Sequence, residues 1–200
     1  MKIILASQSK QRLDILRTLG LPIKVIPAYI DEKAVPYSDR YDKALQIALA
    51  KAQKVASKQK NAIVVAADTF CYLKGRILEK PKNLQEAQAM LLFQSGQEIE
   101  VLTGYAFLNT KLHTQKTGCE KILVRMRQLS TKQIEKYINN EPVLTWSAAF
   151  SPAYDSGIAL IKSINGNLTA FSHGLPLDIL VDFLSVNNEK NCRNPQKNSS

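Results

Sequence analysis

Three short stretches of the sequence place hydroxyl groups, carboxylates and cations where an apolar run gives way to a loop. The first is 7–12, which holds hydroxyls at Ser7 and Ser9 and the cations Lys10 and Arg12. Hydroxyls and the free N–H groups of a starting helix bind anions, and neighbouring cations strengthen that binding. The stretch therefore predicts a cradle for an anion, although Ser9 would serve equally well as a simple helix N-cap.

The second and third stretches follow the most apolar of the predicted strands, residues 62–67. Asp68 and Thr69 come directly after that segment. A carboxylate in this position either accepts hydrogen bonds from loop amides or holds a cation that activates water. Lys80 precedes a proline, and such a lysine either supplies a point charge for phosphate or is simply exposed to solvent.

Two further ionisable groups belong with these stretches. Glu32 stands beside Asp31, and Lys51 lies in a predicted helix. Phosphoryl chemistry works chiefly through positioning and the neutralisation of charge by cations. The cradle, the carboxylates and the separate lysines together therefore suit a phosphorylated ligand accompanied by a divalent ion.

The elements that must position these residues alternate between strands and helices. Continuous or alternating apolar runs predict strands over residues 2–6, 23–27, 62–67, 99–109 and 119–127. Apolar residues at helical spacing, each preceded by a capping residue, predict helices that begin after Ser9, Ser38 or Asp39, Asn83 and Ser130. The dipeptide Asn165-Gly166 predicts a β-hairpin formed by 158–164 and 168–171, and a last helix is expected over 176–184.

This order of elements predicts an α/β fold with a mixed central sheet flanked by helices and a substrate cleft. We expect a single domain over residues 1–186. The segment 187–200 is almost wholly polar, and we expect it to form a disordered C-terminal tail.

The composition of the chain is that of a globular protein with an excess of positive charge. It has 200 residues, 45% hydrophobic and 22% charged, and a formal net charge of +10. The first 60 residues carry 12 of the basic groups and 5 of the acidic ones. Taken alone, this charge would suit nucleic acid, but no run of five Lys or Arg and no aromatic strand of the RNA-recognition type accompanies it.

The remaining composition argues against several other classes. Three cysteines without a C-x-x-C pair predict free thiols in a reducing cytosol, and two histidines 60 positions apart exclude a zinc site built by local spacing. The N-terminal apolar run is too short for a signal peptide, and residues 62–67 are too few to cross a bilayer. We therefore expect a cytoplasmic protein that does not bind membranes.

The motifs occur in an order that resembles one known family. The blocks run from Ile3 to about Leu184 and include Leu5-Ala-Ser7, Asp31-Glu32, Ala50-Lys51-Ala52, Val64-Val-Ala-Ala-Asp68-Thr69, Lys80-Pro81, Ser95-Gly96, Val101-x-Thr103-Gly104, Glu141-Pro142 and Gly174-Leu175-Pro176-Leu177. In order and spacing they resemble the Maf family, also called septum formation inhibitor Maf. Its members are nucleoside triphosphate pyrophosphatases with an inosine-triphosphatase-like fold.

The resemblance implies a hydrolase of nucleotide metabolism, which cleaves a nucleoside triphosphate between the α- and β-phosphates to give the monophosphate and pyrophosphate. It implies that Glu32 and Asp68 hold Mg²⁺ or Mn²⁺ and that Asp68 activates water, with Thr69 assisting beside it. Glu32, Asp68 and Lys80 would be the catalytic residues. The family is also commonly homodimeric, so a homodimer is expected.

The same resemblance assigns the substrate contacts. Ser7, Ser9 and Arg12 would contact the phosphates, and Lys51 and Lys80 would neutralise the triphosphate. Thr69 is placed with this binding group as well. The base is left open between a pyrimidine such as dTTP or UTP, a methylated guanine, and another nucleotide.

The sequence departs from the family pattern in three places. The family's Ser-Pro-Arg-Arg reads Ser9-Lys10-Gln11-Arg12, Ile99 replaces a histidine, and the segment 143–152 is altered. In the altered segment, Trp146 and Phe150 would either pack in the core or form a stacking surface for a base. The altered segment and the net charge of +10 support the alternative to an active pyrophosphatase, a degenerate homologue that binds nucleotide or nucleic acid without hydrolysis.

Overall fold

The sheet is mixed, as the sequence predicts. The computed structural model describes residues 2–152 and 155–192. Within them, seven strands form one sheet: β1 Lys2–Leu5, β2 Ile23–Val25, β3 Ala62–Leu73, β4 Arg76–Leu78, β5 Glu98–Asn109, β6 Thr114–Met126 and β7 Ile161–Asn165. The strand order is β2-β1-β3-β5-β6-β7, and β4 pairs with the C-terminal end of β3, residues 71–73. β1 is parallel to β2 and β3, and the other pairings are antiparallel.

Helices cover both faces of the sheet. They are α1 Lys10–Arg17, α2 Arg40–Ala56, α3 Leu84–Gln94, α4 Thr131–Asn140, α5 Asp155–Ile158, α6 Leu168–His173 and α7 Leu177–Cys192. Short 3-10 turns occupy 32–34, 143–145 and 147–149. The helices predicted from Ser9, Asp39, Asn83 and Ser130 begin where expected, because each of these side chains accepts a backbone N–H of the first turn.

The first half of β3 lies at the centre of the fold. Residues 62–67 are all buried, which confirms the prediction of a strand covered on both faces. Side chains alternate along a strand, so one face of β1 and β3 packs on α1 and α7 and the other packs on α2. These two layers fix the positions of α1 and α2, which carry several of the predicted site residues.

A second core lies at the far halves of β3, β5 and β6. There, Ile99, Val101 and Ile122 pack against α3, α4 and the segment 143–150. Trp146 is 8% exposed and Phe150 is 5% exposed, and both belong to this core. Both residues also line a cavity, so their packing in the core is compatible with contact to a base.

Two predictions about local structure are wrong. Asp68 does not end its strand, because β3 continues to Leu73 through a ladder with β5 in which Asp68 faces Gly104. The predicted hairpin is absent from 158–171, all of which is described. β7 pairs with β6, and the residues after Gly166 form α6, because the Asn167 side chain accepts the Ala170 N–H at 2.9 Å and caps a helix.

The C-terminal helix reaches further than the sequence predicts. α7 ends at Cys192, six residues beyond the expected domain end at 186, and Asn187 is buried against β5 through a 2.9 Å bond from Asn109 Nδ2. The rest of the expected tail, 193–200, lies outside the described residues. None of the described helices combines the length and the apolar character needed to cross a membrane.

Candidate active site

A cavity of about 1340 Å³ opens between the two cores. All eight residues selected from the sequence line it: Ser7, Ser9, Arg12, Glu32, Lys51, Asp68, Thr69 and Lys80. They come from five separate regions of the chain, between residues 7 and 80. The structure therefore brings together the residues that sequence reasoning grouped around a phosphorylated ligand.

The cavity forms where the parallel part of the sheet stops. β1 pairs with β3 only as far as Leu5 and Val65, so β3 loses its parallel neighbour just before Asp68. Asp68 and Thr69 are partly exposed, whereas residues 62–67 before them are buried. The interrupted pairing exposes a carboxylate and a hydroxyl in mid-strand, and the continuous ladder with β5 holds them in place.

Lys51 joins the two predicted metal-binding carboxylates. Its Nζ lies 2.8 Å from Asp68 Oδ1 and 2.7 Å from Glu32 Oε1. Lys51 and Asp68 are 12% and 16% exposed, respectively, while Glu32 is half exposed. Because one ammonium bonds both carboxylates, their oxygens are at most two hydrogen-bond lengths apart.

Close packing of α2 on β5 brings Lys51 to this position. A Cβ on Gly104 would overlap the Ala44 carbonyl, so only a glycine allows the helix to come this near. Lys51 follows Ala44 by two helical turns and so lies on the same face of α2. Gly104 pairs with Asp68 across the β3–β5 ladder, which places the glycine, the helix contact and the carboxylate side by side.

Arg12 forms hydrogen bonds to three separate segments of the chain at the cavity. Its Nη1 donates to Ser7 Oγ at 3.2 Å, its Nη2 to Thr69 Oγ1 at 3.2 Å, and its Nε to the Gly174 carbonyl at 2.9 Å. Burial lowers the pKa of Arg12, and the carboxylates of Asp68 and Glu32 act in the opposite direction. The guanidinium remains charged at physiological pH and is held in one orientation at the cavity wall.

The Thr69 hydroxyl belongs to a directed chain of hydrogen bonds. Thr103 Oγ1 donates to the Ala170 carbonyl at 3.0 Å, so its single proton is used. It must therefore accept the bond from Thr69 Oγ1 at 3.1 Å, while Thr69 Oγ1 accepts from Arg12. Sequence reasoning did not assign Thr103 a role, because its contact with Ala170 joins residues 67 positions apart.

Ser7 and Ser9 have different tasks. Ser9 Oγ caps α1 by accepting the Arg12 N–H at 3.3 Å and donates to Gln11 Oε1 at 3.1 Å. Ser7 Oγ accepts from the Ser9 N–H and from Arg12. Among the described residues no acceptor is recorded for the Ser7 hydroxyl proton, so Ser7 can donate to a ligand. The alternative that Ser9 is an N-cap is confirmed, and the residue lines the cavity as well.

Lys80 enters the cavity from the loop before α3. The Glu79 carbonyl accepts the Ala148 N–H at 3.1 Å, which fastens this loop to the altered segment. Gln94 Nε2 donates to the Ala148 carbonyl at 2.8 Å. Lys80 is exposed, and its ammonium has no recorded partner within the described parts of the chain.

The cavity carries more positive than negative side chains. Six cations line it, namely Lys10, Arg12, Lys33, Lys43, Lys51 and Lys80, against the four carboxylates of Asp31, Glu32, Asp68 and Glu79. Five of the six cations lie in the first 60 residues, so much of the N-terminal charge excess surrounds a cleft. A concave site with this balance suits a small polyanion.

Glu32 and Asp68 are the residues that could hold a metal ion. Across the described residues there is no cluster of three or more His, Cys, Asp or Glu side chains suited to one. Mg²⁺ at nucleotide sites is commonly held by one or two carboxylates, with phosphate oxygens and water completing its coordination. A pair of carboxylates bonded to one ammonium fits that pattern, provided the ligand supplies the other oxygens.

The two thiols among the described side chains, Cys71 and Cys119, are poor nucleophiles. Burial raises the pKa of Cys71 to about 12 and that of Cys119 to about 11. Both are free, in agreement with the prediction of unpaired thiols, whereas the side chain of Cys192 lies outside the described residues. Thiols with such pKa values are inert at neutral pH.

The fold and cavity together define an α/β protein with a cleft lined by more cations than carboxylates, at the point where a parallel sheet becomes antiparallel. A family model described as Maf-like protein matches residues 2–186. The chain belongs to the Maf family.

Relatives of known name cover nearly the whole chain. A 7-methyl-GTP pyrophosphatase of Nitrosococcus oceani is 34% identical over 91% of this chain and 91% of the relative. A dTTP/UTP pyrophosphatase of Clostridium perfringens is 33% identical over 90% and 94% of the two chains. Among solved structures, the Ham1 protein of Staphylococcus aureus shares the fold, with a TM-score of 0.54 and 14% identity over 94% of this chain and 100% of the other.

Proposed function

We propose that this protein is a nucleoside triphosphate pyrophosphatase that hydrolyses its substrate to the monophosphate and pyrophosphate. The observation that carries the proposal is the convergence of Arg12, Lys51, Lys80 and two carboxylates in one cavity. The names of the relatives from N. oceani and C. perfringens support the same reaction.

Each residue of the cavity has a role that its contacts suit. Arg12 and the Ser7 hydroxyl bind phosphate oxygens at the start of α1, and Ser9 keeps that helix terminus in place. Lys80 and Lys51 neutralise the triphosphate. For Lys51 this means exchanging a carboxylate partner for a phosphate oxygen, which a flexible lysine side chain can do.

Asp68 and Glu32 have the roles that remain. Asp68 Oδ1 is bonded to Lys51, so the second oxygen, Oδ2, is the one that accepts a proton from the attacking water. Thr69 orients Arg12 beside Asp68 through its accepted hydrogen bond. Mg²⁺ or Mn²⁺, held by Glu32 and Asp68, would neutralise phosphate charge and make water more acidic when bound.

The altered segment faces the part of the cavity left for the nucleoside. Pro142, Thr145, Trp146 and Phe150 line the cavity and come from a part of the chain remote in sequence from the cradle at Ser7. We propose that this wall decides between pyrimidine and methylated guanine bases. The two named relatives differ in that choice.

The decisive test is pyrophosphate release from a panel containing 7-methyl-GTP, dTTP, UTP and the standard nucleoside triphosphates, with Mg²⁺ or Mn²⁺. We expect release from at least one of them. Asp68→Asn should lower the rate by about 10²–10⁴-fold, while Asp182→Asn, on the exposed side of α7, should leave it unchanged. Chelation with EDTA should abolish release, and added metal should restore it.

The degenerate-homologue alternative makes the opposite prediction. If no triphosphate is hydrolysed and binding of nucleotide is insensitive to Asp68→Asn, the protein binds without catalysis. Steep loss of affinity with salt would then indicate nucleic acid as the ligand. The altered segment 143–152 is the observation that favours this alternative, because it forms part of the cavity wall.

The wider assignments rest on family membership. We propose a catalytic domain over residues 1–186, a cytoplasmic location and a homodimer. Light scattering coupled to size-exclusion chromatography tests the dimer directly, since a monomer would elute with the 22.3 kDa mass of one chain.

A further inference from the structure

His173 lies at the cavity wall beside the phosphate cradle. It is the last residue of α6 and lines the cavity together with Ser7 and Arg12. The next residue, Gly174, has φ +65, accepts a hydrogen bond from Arg12 Nε, and comes so close that a Cβ there would lie 2.8 Å from Thr69 Oγ1. His173 is therefore the sequence neighbour of a residue that contacts Arg12 and lies close to Thr69.

The hydrogen bonds of Ser172 set the tautomer of this imidazole. Ser172 Oγ lies 2.9 Å from the Leu168 carbonyl, which can only accept, so the hydroxyl proton is used in that bond. Ser172 Oγ also lies 2.7 Å from His173 Nδ1 and must accept there. The proton of the neutral ring is therefore on Nδ1, and Nε2 carries a lone pair.

The groups around His173 act on its pKa in opposite directions, so a bound ligand can change its protonation state. Burial lowers the pKa of His173, and Asp14 of α1 acts against that effect. On the same helix, Arg12 is bonded to Gly174. From the other packed elements, Asp178 of α7 is bonded to Asn167 and Glu120 of β6 interacts with Asp178. β5 offers the neutral Thr103, which is bonded to Ala170 of α6.

Within the described residues, Nε2 of His173 has no recorded hydrogen-bond partner. A neutral imidazole with an open Nε2 can accept a proton and become a donor. A triphosphate bound to Arg12 and Ser7 would bring several negative charges to this wall, and a nearby negative charge favours the protonated ring. The cavity supplies a place for the anion, and Ser172 orients the ring toward it without using Nε2.

We propose that His173 is a phosphate-binding residue whose Nε2 takes up a proton as a polyphosphate enters the cavity. The proposal rests on the proposed function and adds a ligand residue to it. Because the complex then binds one more proton than the free protein, the affinity for the anion rises as pH falls from 8 toward 6. The increase is up to about tenfold per pH unit in the range where the ring is protonated in the complex and neutral in the free protein.

Nuclear magnetic resonance can observe the two histidines of the chain separately. His113 lies in the turn between β5 and β6 and serves as the internal control. Long-range ¹H–¹⁵N spectra of ¹⁵N-labelled protein should show the Nδ1–H tautomer for His173. Titration from pH 8 to 5 without divalent metal should then show that inorganic triphosphate raises the pKa of His173 and leaves that of His113 unchanged.

Matched variants separate a binding role from a structural one. His173→Asn keeps an N–H donor near Ser172 Oγ but removes Nε2, and His113→Asn makes the same change at a residue whose φ of +52 asparagine tolerates. Calorimetry should show that triphosphate affinity increases less between pH 8 and pH 6 for His173→Asn than for wild type, by about tenfold. Protonation of triphosphate itself contributes equally to both proteins, so the difference isolates the ring.

The outcomes distinguish the proposal from the function on which it rests. If triphosphate binds and neither histidine responds, or if His173→Asn keeps the wild-type pH dependence, the role of His173 is refuted and the pyrophosphatase assignment stands. If triphosphate does not bind to wild type and no nucleoside triphosphate is hydrolysed, both are refuted. An Nε2–H tautomer would also overturn the proposal, because it contradicts the bond directions around Ser172.

Discussion

Gly104 controls how closely α2 approaches the sheet, and Gly104→Ala tests that dependence. The added methyl group would overlap the Ala44 carbonyl and lie 2.6 Å from the Leu45 nitrogen, whereas ordinary contacts begin at 3.4 Å. These are helix backbone atoms and cannot rotate away, so α2 must retreat by roughly an ångström. Overpacking costs about 1–3 kcal/mol. We expect the upper end, or a decrease of roughly 6–12 °C in melting temperature for a chain of 200 residues.

The same substitution should also lower activity, because it moves a residue of the candidate active site. Lys51 lies two turns along α2 from Ala44, and retreat of the helix pulls its ammonium away from Asp68, 2.8 Å distant in the native protein. A displacement of about 1 Å can cost 10²-fold in rate, so we expect kcat/KM for pyrophosphate release to fall by about that factor.

Urea unfolding and the pyrophosphate-release assay measure the two effects. Gly20→Ala is the control, because Gly20 has φ +64 but no atom within 4 Å of an added methyl group. It should cost about 1 kcal/mol from backbone conformation alone and leave activity unchanged. Wild-type stability and activity in Gly104→Ala would refute the argument that this close contact positions Lys51.

Three other substitutions or treatments test separate parts of the structure. Arg12→Lys keeps a cation but loses the planar guanidinium that reaches three acceptors, so kcat/KM in the release assay should fall by about 10²-fold. An unchanged kcat/KM would mean that the positive charge alone suffices. Gln94→Met preserves the side-chain volume but leaves the Ala148 carbonyl without its hydrogen-bond donor. The free energy of unfolding measured in urea should fall by about 1–3 kcal/mol. An unchanged free energy would count against a stabilising role for this hydrogen bond. Because burial raises the pKa of Cys71 to about 12, its thiolate is scarce at pH 8 and iodoacetamide should label it only after unfolding; rapid labelling of the native protein would contradict that burial.

Short-range patterns were sufficient to locate most of the cradle. The N-cap at Ser9 depends on hydrogen bonds within one helical turn, and the buried strand 62–67 depends on a continuous apolar run. Lys51 and Glu32 are different. Their meeting with Asp68 requires α2 to dock on β5, which no local pattern encodes. Residue chemistry could group them with Asp68 around a phosphorylated ligand, but the specific roles came from the resemblance to a family.

The wrong hairpin shows how one local signal can lose to another. Asn165-Gly166 favours a tight turn between two strands, but Asn167 immediately follows and favours a helix start. The structure resolves the conflict through long-range pairing, because β7 completes its hydrogen bonds with β6. The following residues are then free to form α6, which carries His173 to the cavity. His173, which lies too far from His113 in sequence for a local zinc site, thereby acquires neighbours that are distant in sequence.

The position of Asp68 explains why Lys51 must accompany it. A carboxylate in the middle of a strand, only 16% exposed, is costly unless an opposite charge and hydrogen bonds compensate it. Lys51 provides both, yet its other carboxylate partner, Glu32, is half exposed on a short turn. An ion pair of this kind is weak evidence for stability. Its exposed side leaves the lysine able to change partners, which a triphosphate site requires and a purely structural ion pair does not.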